Sequence, residues 1–377
     1  MSETPQPRTG RRMPSLTGVR FPAIFLVFVG HVAISVHFAD PDAGSAYHRY
    51  LGGIGKMGLS FFFLLSGFIL SWAARAGDSA PLFWRRRMAK IVPLHWLTFL
   101  VAMAVFAGTA VTGKAAVLNF LMLQSWSSDP VIFGSVNAPS WSLTCLVFFY
   151  LLFPVLHRAV ARIRPQHLWW CAAAVVALVI AVPAVVRAVV TPDPQLAPFA
   201  PASSVKAFWI IQICPVTRLL DFFLGIVMAR IVRTGRWIGL GPLHCGVLLT
   251  AVYFASLDAP REYRLTATTI IPVALFVASL AGADVKGGKT IVSGPSLQWL
   301  GNLSYAFILI HWPVMMFFFK VFGEKHLYSV PEAAGVAALD FTVSIVLAWL
   351  LTVGVERPIV RRLARPRSQT AGTLTSM

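Results

Sequence analysis

Ten runs of mostly apolar residues alternate with polar connections along the chain, at 21–38, 54–74, 91–110, 141–157, 168–190, 210–230, 241–257, 266–282, 303–322 and 334–354. A helix needs about 20 apolar residues to cross a bilayer, and the runs are near that length. The pattern predicts an all-α polytopic membrane protein with about ten transmembrane helices. Several runs contain Pro or Gly, which membrane helices tolerate when neighbours re-satisfy the backbone. The longest connection on one side, 111–140, carries Phe120, Trp126 and Phe133 and is expected to dip partly into the membrane. The ends are rich in Pro, Ser, Thr and Arg, so 1–14 and 361–377 read as disordered tails around a membrane domain at 15–360. No internal repeat is visible.

Charge sorts the connections into two classes. The amino-terminal stretch and 75–90, 158–167, 230–240, 283–300 and 355–377 together hold 22 Lys and Arg, against six in the intervening connections. This alternation, in step with the helices, predicts both termini in the cytoplasm. Only 12% of the residues are charged and 57% are hydrophobic, whereas a soluble domain carries about 25% charged residues. The net charge of +18 would suggest a nucleic-acid partner in a soluble protein. Here it lies in short loops where it sets topology, so the expected partner is a lipid bilayer and not nucleic acid. The basic start before an apolar run reads as an uncleaved first helix, because further spans follow. Arg outnumbers Lys 24 to 8, as in GC-rich bacterial genomes, so a bacterial plasma membrane is expected. Cys145, Cys171, Cys214 and Cys245 form no metal or CxxC spacing and read as packing residues. No bound cofactor or metal is predicted.

Arg20 and His31 are the leading chemical candidates. Eleven residues of helix make about three turns plus 20°, with a rise of roughly 16 Å, so the two side chains share a face. His31 sits within the apolar run Phe21 to Phe38, where an ionisable group is costly and marks a functional site by default. A neutral imidazole there can act as general base; the plainer reading is a histidine satisfied by a neighbouring helix. Arg85, Arg86 and Arg87, with Lys90, form a dense basic cluster. Arg holds phosphates through a bidentate fork, which suits acyl-CoA, but the same cluster serves as a topology signal or a contact to anionic lipid. His311 is a second midplane imidazole that either lines the site or packs against it. Ser142 is a candidate donor to substrate, although Ser66, Ser142 and Ser304 also suit interhelical hydrogen bonds. Arg218 and Asp221, three apart, read as a structural ion pair. Glu356 reads as an ion partner for a nearby Arg at the cytoplasmic end.

The segment PSLTGVRFPAIFLVFVGH, from Pro14 to His31, resembles the opening of the acyltransferase-3 family of integral membrane O-acyltransferases, in which Leu-x-Gly-x-Arg is followed by ten residues and a His. MGLSFFFLLSGFIL (Met57 to Leu70), FWRRRMAKIVPLHW (Phe83 to Trp96), PSWSLTCLVFFYLLFP (Pro139 to Pro154), RLLDFFLGIVMAR (Arg218 to Arg230), GNLSYAFILIHWPV (Gly301 to Val314) and VERPI (Val355 to Ile359) resemble later blocks, in family order. The wording is closest to actinobacterial members that acylate secondary metabolites such as macrolides. The resemblance implies a membrane acyltransferase domain over 15–360. Its co-substrate would be acyl-CoA and its acceptor a hydroxyl of a sugar, a macrolide-like metabolite or an envelope polysaccharide. Arg20 with Arg85 to Arg87 would hold the CoA end, His31 would be the base, and His311 or a serine such as Ser142 would stabilise the thioester oxyanion. It also implies a Glu at position 146, where this chain has leucine, and so admits a non-catalytic member. A transporter or flippase is the alternative from another class, since midplane ionisable groups would suit one.

Overall fold

The computed structural model describes residues 13–74, 79–108, 110–193, 202–323 and 325–363. In chain order the helices are α1 (Pro14–Gly18), α2 (Arg20–Ser35), α3 (Pro41–Tyr50), α4 (Ile54–Ala73), α5 (Ala80–Ala102) and α6 (Gly113–Phe120). Then come α7 (Pro130–Phe133), α8 (Trp141–Arg162), α9 (Leu168–Val189), α10 (Val205–Phe208), α11 (Pro215–Arg233) and α12 (Pro242–Ala255). The last are α13 (Arg261–Arg264), α14 (Ile270–Lys286), α15 (Pro295–Phe322), α16 (Val330–Leu351) and α17 (Arg357–Leu363). Each predicted apolar run falls on a helix. Among the described residues eight helical runs are long and apolar enough to cross a membrane, and together they make the chain an all-α polytopic membrane protein. The runs at 241–257 and 266–282 form α12 and α14, of 14 and 17 residues, short of the roughly 20 that span alone. Residues 1–12 and 364–377, most of the two expected tails, lie outside the described residues. Helix α1 already starts at Pro14 and α17 runs to Leu363, so helix extends into both stretches read as tail.

Helices α2, α4, α11 and α15 form the interior. Helices α4 and α11 cross with their backbones in contact. A Cβ on Gly225 would lie 2.0 Å from the Leu64 carbonyl oxygen, and one on Gly67 2.0 Å from that of Phe222. Small residues allow such approach where no hydrophobic driving force operates between helices in lipid. The crossing buries Arg218 with its i+3 partner Asp221; Arg218 also donates to Ser60 Oγ at 2.8 Å and lies over the Phe63 ring. The two side chains form the ion pair that their spacing suggests. Helices α9, α12 and α16 lie outside and expose apolar residues such as Trp170, Val247 and Val346, the surface expected toward lipid.

The connection 111–140 is built from short helices packed under α8. Its buried amides bond one another: Asn119 Nδ2 donates to the Ser135 carbonyl at 2.7 Å and Gln124 Nε2 to Ser140 Oγ at 3.1 Å. Asn137 Nδ2 donates to the Leu309 carbonyl at 2.8 Å, fastening the segment to α15. A two-residue parallel ladder, β1 (His37–Phe38) with β2 (Leu327–Tyr328), ties the end of α2 to the start of α16.

Candidate active site

His31 is seated by a close approach of α2 and α4. A Cβ on Gly30 would lie 3.1 Å from Gly55 Cα, tighter than an ordinary contact, so the two glycines let the backbones approach closely there. The next residues, His31 and Lys56, therefore start from neighbouring points, and both line one cavity of about 480 Å³. His31 Nδ1 lies 2.9 Å from His311 Nε2, and the rings are near-parallel, 6° apart with centroids separated by 5.2 Å. His311 is fully buried, and its Nδ1 lies 3.1 Å from the Phe307 carbonyl oxygen.

These contacts set the protons of the neutral pair. A carbonyl only accepts, so His311 Nδ1 carries a hydrogen and donates it to Phe307. Neutral His311 then accepts at Nε2, and His31 must donate from Nδ1. The lone pair of His31 is thereby left on Nε2. An imidazole held in one tautomer and orientation by the bond at its other nitrogen is suited to proton abstraction.

The 480 Å³ cavity is also lined by Trp141, Ser142, Gln212 and Tyr253. Its rim includes His48, Arg49 and Arg261, which belong to connections with few cations. Ser142 Oγ donates to the Pro139 carbonyl at 2.8 Å, so its single hydroxyl hydrogen is committed. His311 likewise spends its one N–H on Phe307. Neither residue matches the sequence expectation of an oxyanion donor, because each turns its only hydrogen toward backbone. Beside the rim, Glu262 accepts from the Ser203 amide at 2.7 Å and from Arg187 at 3.2 Å. Burial pushes its carboxyl up, but these bonds outweigh burial and hold it below the usual carboxylate range. The contacts moor α13, whose Arg261 and Arg264 face the cavity.

Arg20 lines a second, smaller cavity of about 70 Å³ with Arg87, Lys90, Leu146, Tyr150 and Tyr305. Lys90 Nζ is 3.2 Å from Glu356 Oε1 and lies over the Tyr305 ring, and the Tyr305 hydroxyl donates to the Ile91 carbonyl at 2.8 Å. Glu356 thus pairs with a lysine, Lys90, where the sequence suggested an arginine. The basic cluster divides: Arg87 and Lys90 join Arg20, whereas Arg85 and Arg86 do not line the cavity. Successive helical residues point about 100° apart, so three adjacent arginines cannot serve one pocket.

The two cavities lie end to end along the same four helices. Helix α2 supplies Arg20 to one and His31 to the other, α4 Phe62 and Leu59, α8 Leu146 and Ser142, and α15 Tyr305 and Ile308. On α8 the step is one helical turn, about 6 Å. The aligned pair Arg20 and His31 therefore serves two neighbouring cavities and not one pocket. Lys56, Tyr150 and Tyr305 were not singled out in the sequence. Lys56 alone carried a signal, a cation within an apolar run.

Leu146, only 2% exposed, faces the cavity that holds Arg20, Arg87 and Lys90. A carboxylate at this position would have cationic partners, so the usual cost of an isolated charge in the membrane does not apply. Leu146→Glu is expected to melt within a few degrees of wild type, because the new anion engages Arg20. Thermal unfolding of the two proteins checks this; a collapsed melting temperature would contradict it.

A family model described as an acyltransferase domain matches residues 13–353. The chain is 40% identical to the acyltransferase MdmB of Streptomyces mycarofaciens, over 94% of both proteins. It is 25% identical to the exopolysaccharide production protein ExoZ of Rhizobium meliloti, over 85% of this chain and 93% of that protein. It is 22% identical to the peptidoglycan O-acetyltransferase OatA of Listeria monocytogenes, over 80% of this chain but about half (49%) of that protein. No solved structure matches the chain significantly.

Proposed function

The chain belongs to the acyltransferase-domain family and is an integral-membrane O-acyltransferase; we propose that it moves a short acyl group, such as acetyl, from cytosolic acyl-CoA to a hydroxyl of a macrolide-like metabolite or a sugar. The observation that carries this reading is the oriented His31–His311 pair, with its free Nε2 at a cavity that backs onto a cation-lined one. The acceptor hydroxyl enters the larger cavity and gives its proton to His31 Nε2 as its oxygen attacks the thioester carbonyl carbon. The tetrahedral adduct collapses, the carbon–sulfur bond breaks, and the thiolate leaves with the proton from His31. His311 holds the imidazole in the required tautomer. General-base assistance of this kind is typically worth about 10²–10⁴-fold in rate. Arg20, Arg87 and Lys90 hold the phosphates of the CoA end, and the charge bias of the loops supports a cytoplasmic position for this cavity and for both termini. A secondary-metabolite acceptor is what the wording shared with actinobacterial members implies, and the chain is 40% identical to an acyltransferase of Streptomyces mycarofaciens.

The reading is tested with purified protein in nanodiscs, acetyl-CoA and a macrolide bearing a free secondary hydroxyl, or a polyhydroxylated sugar. A new acetyl ester by mass spectrometry with stoichiometric thiol release is expected; no thiol release with any acceptor would refute it. Arg20→Ala should raise the KM for acetyl-CoA about 10-fold or more, the scale of one lost charged hydrogen bond. Arg20→Lys should recover only part, because Lys lacks the bidentate fork. Unchanged KM in both variants would remove Arg20 from the donor site.

A further inference from the structure

We infer that Lys56 is the catalytic residue that holds the developing oxyanion opposite His31. This rests on the reading of His31 as the base. The reaction needs a donor at the thioester oxygen, and the two residues that sequence nominated for it are both spent. Ser142 gives its hydrogen to Pro139 and His311 gives its own to Phe307. His31 offers a lone pair on Nε2, not a hydrogen. Lys56 lines the same cavity and is brought beside His31 by the Gly30–Gly55 contact. Its ammonium makes one long bond, 3.4 Å to the Gly52 carbonyl, which leaves donors for another partner. Among the described residues no carboxylate forms an ion pair with it, whereas Lys90 on α5 and Arg218 on α11 each have one.

A half-buried ammonium without a counter-ion is unfavourable in the ground state. It becomes favourable when negative charge forms beside it, which is the requirement for preorganised electrostatic catalysis. As the acceptor oxygen bonds to the carbonyl carbon, the carbonyl π pair moves onto oxygen and is held by the Lys56 ammonium. When the carbon–sulfur bond breaks, that pair re-forms the carbonyl and Lys56 is unchanged. The proton travels from hydroxyl to His31 and on to the thiolate, so Lys56 acts by charge and donates no proton.

The test compares Lys56→Met, Lys56→Gln and His31→Ala in the acetyl-CoA and macrolide assay, read by thiol release and ester mass. Removing an unpaired cation orphans no carboxylate, so Lys56→Met should fold. The expected result is a fall in kcat of about 100-fold or more, the scale of one oxyanion donor, with KM for both substrates within about two-fold. Lys56→Gln keeps a neutral donor and should fall between Met and wild type; it also decides the matter if Lys56→Met proves unstable. A kcat for Lys56→Met within three-fold of wild type, or a loss confined to the acceptor KM, overturns the proposal while an inactive His31→Ala leaves the base reading standing. Full turnover by His31→Ala overturns the base reading, and the role of Lys56 falls with it.

Discussion

His31→Ala should cut acyl transfer by about 100-fold or more, the lower end of what a positioned base contributes, while membrane insertion and melting temperature stay near wild type. The imidazole is half-buried and lines a cavity, so its loss enlarges space that is already open and leaves no tight core void. His311 loses an N–H donor in this variant, but its own hydrogen remains bonded to Phe307. The measurement is kcat for acetyl-CoA-dependent ester formation, with thermal unfolding of the same sample. Turnover within a few-fold of wild type would be incompatible with proton abstraction by His31. His311→Ala should also lose most activity, through a different cause: His31 keeps its proton acceptor but loses the contact that fixes tautomer and ring orientation.

The second large effect concerns folding and not chemistry. Gly225→Leu should give no monodisperse protein, and even Gly225→Ala should destabilise the fold by about 3 kcal/mol or more, the upper range for inserting bulk into a packed interior. The new Cβ would meet the Leu64 carbonyl oxygen at 2.0 Å and the Phe68 nitrogen at 2.9 Å, all backbone. No side chain can rotate away, so α4 and α11 must part. Parting them also breaks the bond from Arg218 on α11 to Ser60 on α4 and leaves a buried ion pair without its hydroxyl partner. Size-exclusion profiles and melting curves in detergent are the readout. A Gly225→Ala variant that melts within about two degrees of wild type would mean that the crossing is looser than its geometry states.

The helices were legible because the signal is local: a span must be apolar over its own length, and its cations collect at one end. The short outer helices were not. Helix α3, with the sequence PDAGSAYHRY, is polar and buries none of its residues, so no apolar run marks it. The aromatics of segment 111–140 suggested a dip into the membrane but not the bonds of Asn119, Gln124 and Asn137, which reach Ser135, Ser140 and the Leu309 carbonyl. Nothing in the local pattern indicates such partners.

By itself the sequence determined that this is an all-helical membrane protein of the acyltransferase family, with His31 at membrane depth and a cation eleven residues before it. Those properties follow from residue type and position along one helix, where burial cost and helical periodicity act directly. Only the tertiary structure decided that His31 meets His311, 280 residues later, and that Arg87 rather than Arg85 or Arg86 joins Arg20. It alone decided that Ser142 spends its hydrogen on backbone and that Lys56 stands beside the base. Each of these depends on which helices touch and at what rotation, and that is set by glycine contacts such as Gly30 with Gly55 and Gly67 with α11. The energy of such a contact belongs to a pair of distant segments, so neither segment carries it alone.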